Sequence, residues 1–361
     1  ANQGQKYEPV DHDLLLSYVE ATDGQILEEG ITEAGSMASF IAAGTAYATR
    51  GVQMMPFFTF YSMFGFQRVG DLIWQAADAR TRGFLLAATA GRTTLSGEGL
   101  QHQDGHSLVL ASTVPACLAY DPAFAYEIAV IIQSGLQRMY PATPPAEGTE
   151  VLDPDVFYYI TLYNENYVMP SMPEGLDPAD IVRGLYLWAP AASEATHRAT
   201  LLFSGAIHGP AREAADILLA DYGVAAELWS ATSYKTLREE ALTVERWNRL
   251  HPGETPRQSL VAQLLGDGQG PIVAVTDFMK IVPEQVARFI PNRLFVPLGT
   301  DGVGRSDTRE ALREFFEIDA ASIVVAVLAA LCAQGEIKPE VVSSAIERFG
   351  IDPESADPRN L

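Results

Sequence analysis

The densest group of polar side chains in this sequence lies between Gly97 and His106, and it holds two of the six histidines within five residues. Glycines permit tight backbone turns, and loops carry a large share of catalytic side chains. His102 and His106 could transfer protons, or they could simply hydrogen-bond to loop carbonyl groups. A zinc site of the His-Glu-x-x-His type is disfavoured, because Gln103 stands where that pattern needs Glu and Gly105 interrupts the helix it requires.

Glu33, Tyr61 and Phe64, which precede this segment in the sequence, are further candidates for a binding site. Glu33 falls in the first turn of a predicted helix with small, apolar neighbours, so its carboxylate is either carried into an interior or solvated and favoured by the helix dipole. Tyr61 and Phe64 lie three residues apart in an aromatic segment, a pattern that is typical of core packing. The pattern alone therefore does not separate a functional role from a structural one.

The helix that would carry Glu33 extends from Thr32 to about Tyr47, with Thr32 as a usable N-cap. One stripe of this helix holds only small residues, namely Gly35, Ala38, Ala42 and Ala46. A stripe of this kind allows a second backbone to approach closely.

Short apolar runs alternate with helical patterns along the rest of the chain, which predicts an α/β fold. Strands are predicted at 83–89, 115–120, 156–162, 199–204, 225–230, 271–276 and 294–297. Helices are predicted at 70–82, 122–138, 210–220, 283–289 and within 320–349, and 91–107 is predicted to be a loop. We therefore expect two three-layer α/β sandwich domains, residues 1–170 and 199–361, joined by a proline-rich surface linker at 171–198.

Composition excludes several classes of partner. The chain has 361 residues, 48 % of them hydrophobic, and a formal net charge of -22, which repels nucleic acid and anionic membrane surfaces. The apolar run 323–333 is shorter than the roughly 20 residues that span a bilayer. Cys117 and Cys332 are expected to be buried thiols in a reducing cytoplasm. Residues 1–10 carry no signal-peptide core and no initiator Met, so we expect a cut from a longer chain.

Six strings in this sequence resemble, in order and nearly from end to end, the thiamine-diphosphate-dependent homodimeric pyruvate dehydrogenases of bacteria. They are 24–33 (GQILEEGITE), 61–68 (YSMFGFQR), 91–95 (GRTTL), 164–167 (NENY), 298–302 (LGTDG) and 304–307 (GRSD). Transketolases look like more distant relatives. The resemblance implies that residues 1–170 are a pyrimidine-binding domain without its start, and that 199–361 are a transketolase C-terminal-like domain.

The resemblance also implies roles for individual residues. Glu33 would hydrogen-bond a pyrimidine nitrogen of thiamine diphosphate from a desolvated pocket, and Tyr61 and Phe64 would pack against the pyrimidine ring. His102, with Glu98 nearby, would face the substrate and assist proton transfer or charge stabilisation. Asp11 falls where the family has an acid near the cofactor, and His106 receives no role.

The diphosphate and Mg²⁺ are held in this family by an upstream domain that we expect to be absent here. No closely spaced pair of Asn residues follows the 266–268 Gly-Asp-Gly string, since Asn292 stands alone there. We interpret the string as a surface turn, so no metal ligand is predicted in this chain. The chain alone is therefore expected to be inactive.

The resemblance implies oxidative decarboxylation of pyruvate, with transfer of the acetyl group to the lipoyl group of a dihydrolipoyl acetyltransferase, by a cytoplasmic homodimer. Two alternatives stay open. One is ketol transfer of the transketolase type, and the other is a non-catalytic fragment that keeps only dimerisation and docking surfaces.

Overall fold

The computed structural model describes residue 13 and residues 21–142, 152–192 and 195–361, and these ranges contain two mainly parallel β-sheets. The first sheet has four parallel strands in the order β1-β2-β4-β3. Its strands are β1 (Phe57–Tyr61), β2 (Gly83–Ala88), β3 (Cys117–Tyr120) and β4 (Phe157–Thr161). Its helices are α1 (Glu33–Gly44), α2 (Ala46–Thr49), α3 (Phe66–Asp78), α4 (Ser107–Ala111) and α5 (Ala125–Met139).

The second sheet has five strands in the order β5-β7-β6-β8-β9, and only β5 runs antiparallel. Its strands are β5 (Tyr186–Ala189), β6 (His197–Phe203), β7 (Val224–Ser230), β8 (Ile272–Val275) and β9 (Phe295–Leu298). Its helices are α6 (Pro178–Arg183), α7 (His208–Tyr222), α8 (Tyr234–Leu250), α9 (Leu260–Leu265), α10 (Ile281–Ala287), α11 (Arg309–Phe315), α12 (Ala320–Ala333) and α13 (Pro339–Phe349). The predicted class, two α/β domains, is confirmed.

Local sequence explains where the key elements begin and which face they bury. Thr32 is the N-cap of α1, since its Oγ1 accepts a hydrogen bond from the Gly35 amide at 3.3 Å. Helix α1 then buries Met37 and Phe40 in the hydrophobic cluster that contains residues of the first sheet. Strands β4 and β8 are buried at every position, as expected for central strands of parallel sheets.

The two halves share one hydrophobic core. A single buried cluster contains Leu108 and Val114 from the first half together with Phe278 and Val282 from the second. Helix α4 and the segment after it therefore pack directly on the second half, and the halves fix one another's position.

Three sequence predictions differ from the structure. Residues 171–198 are not an irregular linker, because α6 and β5 lie there and β5 pairs with β7. Residues 234–250 lie between the predicted strands 225–230 and 271–276, where no helix was predicted, and they form α8, whose narrow buried face includes Leu237 and Ala241. Cys117 is a buried free thiol as predicted, whereas Cys332 is only partly buried.

The most apolar helical stretch among the described residues is Arg309–Ala333. It is long and apolar enough to cross a membrane by length and composition. It is interrupted between α11 and α12, however, and α12 packs against α7 with Ile323, Val327 and Leu331 fully buried. These contacts are those of a core helix.

Candidate active site

Three of the predicted site residues form an aromatic cluster at the end of β1. Tyr61 is the last residue of β1, and Phe64 lies in the 3-10 turn that follows it. Their ring centroids are 5.9 Å apart, and each ring lies within 5.4 Å of the His102 imidazole. Tyr61 keeps 44 % of its surface exposed, so the cluster is a surface shelf and not part of the core.

Glu98 and Glu33 lie on either side of this aromatic shelf. A carboxylate oxygen of Glu98 lies 2.5 Å from Nδ1 of His102, which forms an acid–imidazole pair. On the other side, Arg68 carries its guanidinium 4.0 Å above the Phe64 ring and 3.2 Å from the Glu33 carboxylate. The structure thus brings five sequence-predicted residues, 33, 61, 64, 98 and 102, into one connected group.

The Glu33 carboxylate is partly shielded rather than buried. Its side chain keeps 18 % exposure at the first turn of α1, where the helix dipole favours a negative charge. Arg68 supplies the neighbouring positive charge, and no pattern in the sequence predicted that pair. An acid in this position can accept a hydrogen bond from a ligand that packs on the adjacent Phe64 ring.

Asp104 connects the shelf to the histidine loop, which we define as residues 97–105. Its carboxylate is fully buried and accepts a hydrogen bond from the Ser62 hydroxyl, between Tyr61 and Phe64. It also accepts the His106 and Ser107 amides at 3.0 and 2.9 Å, which caps α4. Asp104 thereby ties the 3-10 turn of the shelf to the end of the loop.

His106 faces away from the His102 pair. Its Nε2 contacts the Gln67 amide, and its Nδ1 lies 3.8 Å from Asp104. Burial lowers the pKa of His106, against the opposing effect of the Asp104 carboxylate, which favours a neutral imidazole. Asp11 lies outside the described residues, so its predicted place near the cofactor stays a prediction.

Two buried acids behind the loop were missed from the sequence. Asp121 follows β3 and accepts hydrogen bonds from the hydroxyls of Thr161 at 2.6 Å and Ser204 at 2.5 Å. Asp277 follows β8 and accepts the Thr93 amide at 3.2 Å, while its Oδ1 has no partner. The signal that could have found them is a single acid directly after an apolar strand, at the carboxyl edge of a parallel sheet.

The charge state of Asp277 is set by its surroundings. Burial raises its pKa to about 7, although Arg313 and the hydrogen bond from Thr93 act in the opposite direction. Asp277 is therefore a carboxyl group that gains or loses its proton near neutral pH.

No group of three or more His, Cys, Asp or Glu side chains that could hold a metal ion lies within the described part of the chain. The aromatic shelf with its flanking acids can bind a flat heteroaromatic ring and exchange a proton with it. It offers no metal-binding cluster of its own.

Comparison with protein families matches two models to this chain. Residues 1–170 match the pyruvate dehydrogenase E1 component middle domain, and residues 184–319 match a transketolase-like C-terminal domain.

Curated relatives resemble the chain along almost all of its length. The pyruvate dehydrogenase E1 component of Pseudomonas aeruginosa is 53 % identical over 98 % of this chain, and that of Escherichia coli is 49 % identical over 99 %. The chain spans 39 % of the length of each of these two relatives.

Solved transketolase structures share the fold of this chain. A split-gene transketolase is 20 % identical with a TM-score of 0.56, covering 84 % of this chain and 83 % of its own. The Campylobacter jejuni transketolase is 19 % identical with a TM-score of 0.58, covering 83 % of this chain and 39 % of its own. These likenesses establish the fold alone.

Proposed function

We infer that the chain belongs to the pyruvate dehydrogenase E1 components, as their middle and transketolase-like C-terminal domains. We propose that it carries the pyrimidine-binding and substrate-facing part of an enzyme that oxidatively decarboxylates pyruvate. The observation that carries this proposal is the connected group of Glu33, Tyr61, Phe64, Glu98 and His102, which come from segments almost 70 residues apart.

The residues of this chain fit the pyrimidine half of thiamine diphosphate. Tyr61 and Phe64 present partly exposed rings on which an aminopyrimidine can pack. Glu33 is placed to hold a proton at a ring nitrogen, once its carboxylate leaves Arg68. When bound, thiamine diphosphate supplies the electron sink for decarboxylation.

The acid–imidazole pair of Glu98 and His102 would act on the substrate side of the ring. The Glu98 carboxylate lies 2.5 Å from Nδ1 without the alignment of a hydrogen bond, so it acts on the imidazole through its charge. Nε2 would then be the nitrogen that moves a proton to or from the reacting carbon and oxygen atoms. The nearby aromatic rings exclude water from one side of this pair.

The described residues do not fit Mg²⁺, since no three of their acidic, imidazole or thiol side chains cluster to hold a metal ion. We propose that Mg²⁺ and the diphosphate are bound by protein outside these residues. We further propose a cytoplasmic homodimer that passes the acetyl group to the lipoyl group of a dihydrolipoyl acetyltransferase. The residues 1–361 alone are then expected to show no turnover.

Ketol transfer is the second enzymatic candidate, and the transketolase fold favours it. Sugar phosphates require several accessible cationic groups. The acids Glu98 and Asp104 lie near His102, and Arg68 is the exposed cation beside the aromatic shelf. Arg92 lies against Gly105, but it is buried and donates to the Thr300 carbonyl. With one accessible cation among these groups, the site fits the single carboxylate of a small 2-oxo acid better than it fits sugar phosphates.

The deciding experiment uses the natural polypeptide that contains this sequence, with its length established by intact mass spectrometry. With thiamine diphosphate and Mg²⁺ present, we expect pyruvate-dependent reduction of ferricyanide. Ketol transfer between sugar phosphates without pyruvate oxidation would establish the transketolase alternative. A natural polypeptide of 361 residues that lacks both activities would establish the non-catalytic one.

A further inference from the structure

The histidine loop is held on one side by the second half of the molecule. The Gly97 amide donates to the carbonyl of Asp307 at 2.9 Å, and the Arg305 amide donates to Oε1 of Gln103 at 2.8 Å. Both hydrogen bonds join the histidine loop to residues 300–307, which we call the clamp segment. The two hydrogen bonds lie on either side of His102 in sequence.

Gln103 is the side chain that makes this attachment next to His102. It is 1 % exposed, whereas Gln101, on the other side of His102, is exposed. A long amide side chain is rarely buried so completely unless it makes a specific contact. The contact here is with the backbone of the clamp segment, so it does not depend on the Arg305 side chain.

Gly304 allows the clamp segment to approach the loop this closely. A Cβ atom at this position would lie 2.8 Å from Oε1 of Gln103 and 2.9 Å from the Leu100 carbonyl oxygen. Any larger residue would push the loop away from the second half. Residues 304–307, which are not part of the proposed active site, therefore contact the histidine loop directly.

The turn that carries His102 has little stability of its own. Residues 100–102 form a single 3-10 turn without a side-chain cap, and Leu100 and Gln101 are exposed. A short turn of this type takes its position from its neighbours. Asp104 fixes the end of the loop to the shelf, and the clamp segment fixes the part that contains His102.

We propose that the clamp segment is a positioning element of the active site, and that Gln103 is the positioning residue through which the second domain sets the location of His102. This inference rests on the proposed function of His102. A displacement of about 1 Å at a catalytic group can cost on the order of 100-fold in rate. The second domain would thus contribute to catalysis without contacting the substrate.

The test uses the complete enzyme and three glutamine variants. Gln103→Met removes the acceptor at similar volume, Gln103→Glu keeps an acceptor oxygen, and Gln101→Met is the matched control on the exposed side of the same loop. The first measurement is hydrogen exchange of residues 97–105 by mass spectrometry, which is independent of activity. The second is kcat and KM for pyruvate in the ferricyanide assay, with thiamine diphosphate affinity measured alongside.

For Gln103→Met we expect faster exchange in the loop and a fall in kcat of about 10- to 100-fold. The KM for pyruvate and the cofactor affinity should stay near wild type, because Glu33, Tyr61 and Phe64 are not touched. Gln103→Glu keeps the acceptor but buries a carboxyl group, so its rate should recover toward wild type as the pH is lowered and that carboxyl is protonated. Gln101→Met should behave as wild type. Gly304→Ala should reproduce the faster exchange, whereas Gly253→Ala, with open space around its Cβ, should not.

Two results would overturn the proposal. One is unchanged loop exchange and unchanged kcat in Gln103→Met. The other is an equal loss in Gln103→Met and Gln103→Glu that follows a general fall in thermal stability and cofactor affinity. Faster hydrogen exchange in Gln103→Met together with a fully active His102→Ala would support the attachment by the clamp segment and refute the catalytic role of His102. Failure of this proposal can therefore be distinguished from failure of the proposed function.

Discussion

The guanidinium of Arg68 lies 3.2 Å from the carboxylate of Glu33, directly beside the aromatic shelf. The Arg68 side chain is 53 % exposed, so this ion pair contributes about 1 kcal/mol or less to stability. A ligand nitrogen that binds Glu33 can therefore displace Arg68 with only a small loss of free energy. The pair also holds the Glu33 side chain in the direction of Phe64, above which the same guanidinium lies.

We predict that Glu33→Gln nearly abolishes pyruvate decarboxylation in the complete enzyme, by about 100-fold or more, because an amide cannot exchange a proton with a pyrimidine nitrogen. The fold should persist, since the Gln carbonyl can still accept from Arg68. The ferricyanide assay measures the rate, and circular dichroism measures the fold. A variant that keeps most of the wild-type rate would remove Glu33 from its assigned role.

For His102→Ala we predict a loss of about 100-fold or more in the overall reaction while thiamine diphosphate remains bound. The reason is that the Tyr61 and Phe64 rings contact each other directly, with centroids 5.9 Å apart. The aromatic shelf therefore persists without the imidazole. Cofactor affinity by titration and turnover by the assembled complex are the two measurements. His106→Ala is the matched control, and equal losses in both variants would contradict a special role of His102.

Asp277 should make stability depend on pH. Its folded pKa of about 7 exceeds the value of an unfolded Asp, so the folded state holds a proton that the unfolded state has lost. Its contribution to the unfolding free energy therefore falls as pH rises from about 4 to about 7, by up to about 4 kcal/mol. Above this range the contribution stays at its lower level.

Asp277→Asn cannot ionise and should remove this part of the pH dependence. We expect the difference in unfolding temperature between Asp277→Asn and wild type to shift in favour of the variant as the pH is raised from 5 to 8. Asp267→Asn, on an exposed turn, should show no such shift. Differential scanning calorimetry at the two pH values provides the measurement. Parallel curves for wild type and Asp277→Asn would show that Asp277 does not titrate as described.

Local signals in the sequence were sufficient for most of the fold. The N-cap at Thr32 and the run that became β2 depend only on neighbouring residues, and both agree with the structure. Helix α8 was missed because charged residues interrupt its apolar positions, and its packing against α10, β3 and α9 explains its apolar face. β5 was missed because proline-rich flanks concealed it and because its partner, β7, is distant in sequence.

The candidate site was predicted from the resemblance rather than from its patterns. Tyr61 and Phe64 alone are typical of core packing, and only the fold reveals that they meet His102. Arg68 beside Glu33 and the buried Asp277 depend on contacts between distant segments, which no local pattern encodes. The same holds for Gln103, whose partner Arg305 lies 202 residues away.

Helix α1 presents two of its small residues to solvent. Ala38 and Ala42 are exposed, while Met37 and Phe40 face the core and Ala46 is buried within the chain. The outer face of α1 thus offers a surface that a second backbone can approach, next to Glu33. We predict that the complete enzyme is a homodimer in which α1 packs near its symmetry mate, burying more than about 2,000 Å² in total.

Ala42→Trp should then dissociate the dimer and abolish activity together, because an indole cannot fit where two helices meet closely. Ala220→Trp, an exposed alanine on α7, should leave both unchanged. Light scattering at the assay concentration measures the oligomeric state, and the ferricyanide assay measures activity in the same sample. Since the proposed Glu33 site lies at the start of this helix, loss of the dimer should also weaken thiamine diphosphate binding. A monomeric wild-type enzyme with normal activity would contradict this arrangement, and so would an Ala42→Trp variant that stays dimeric and active.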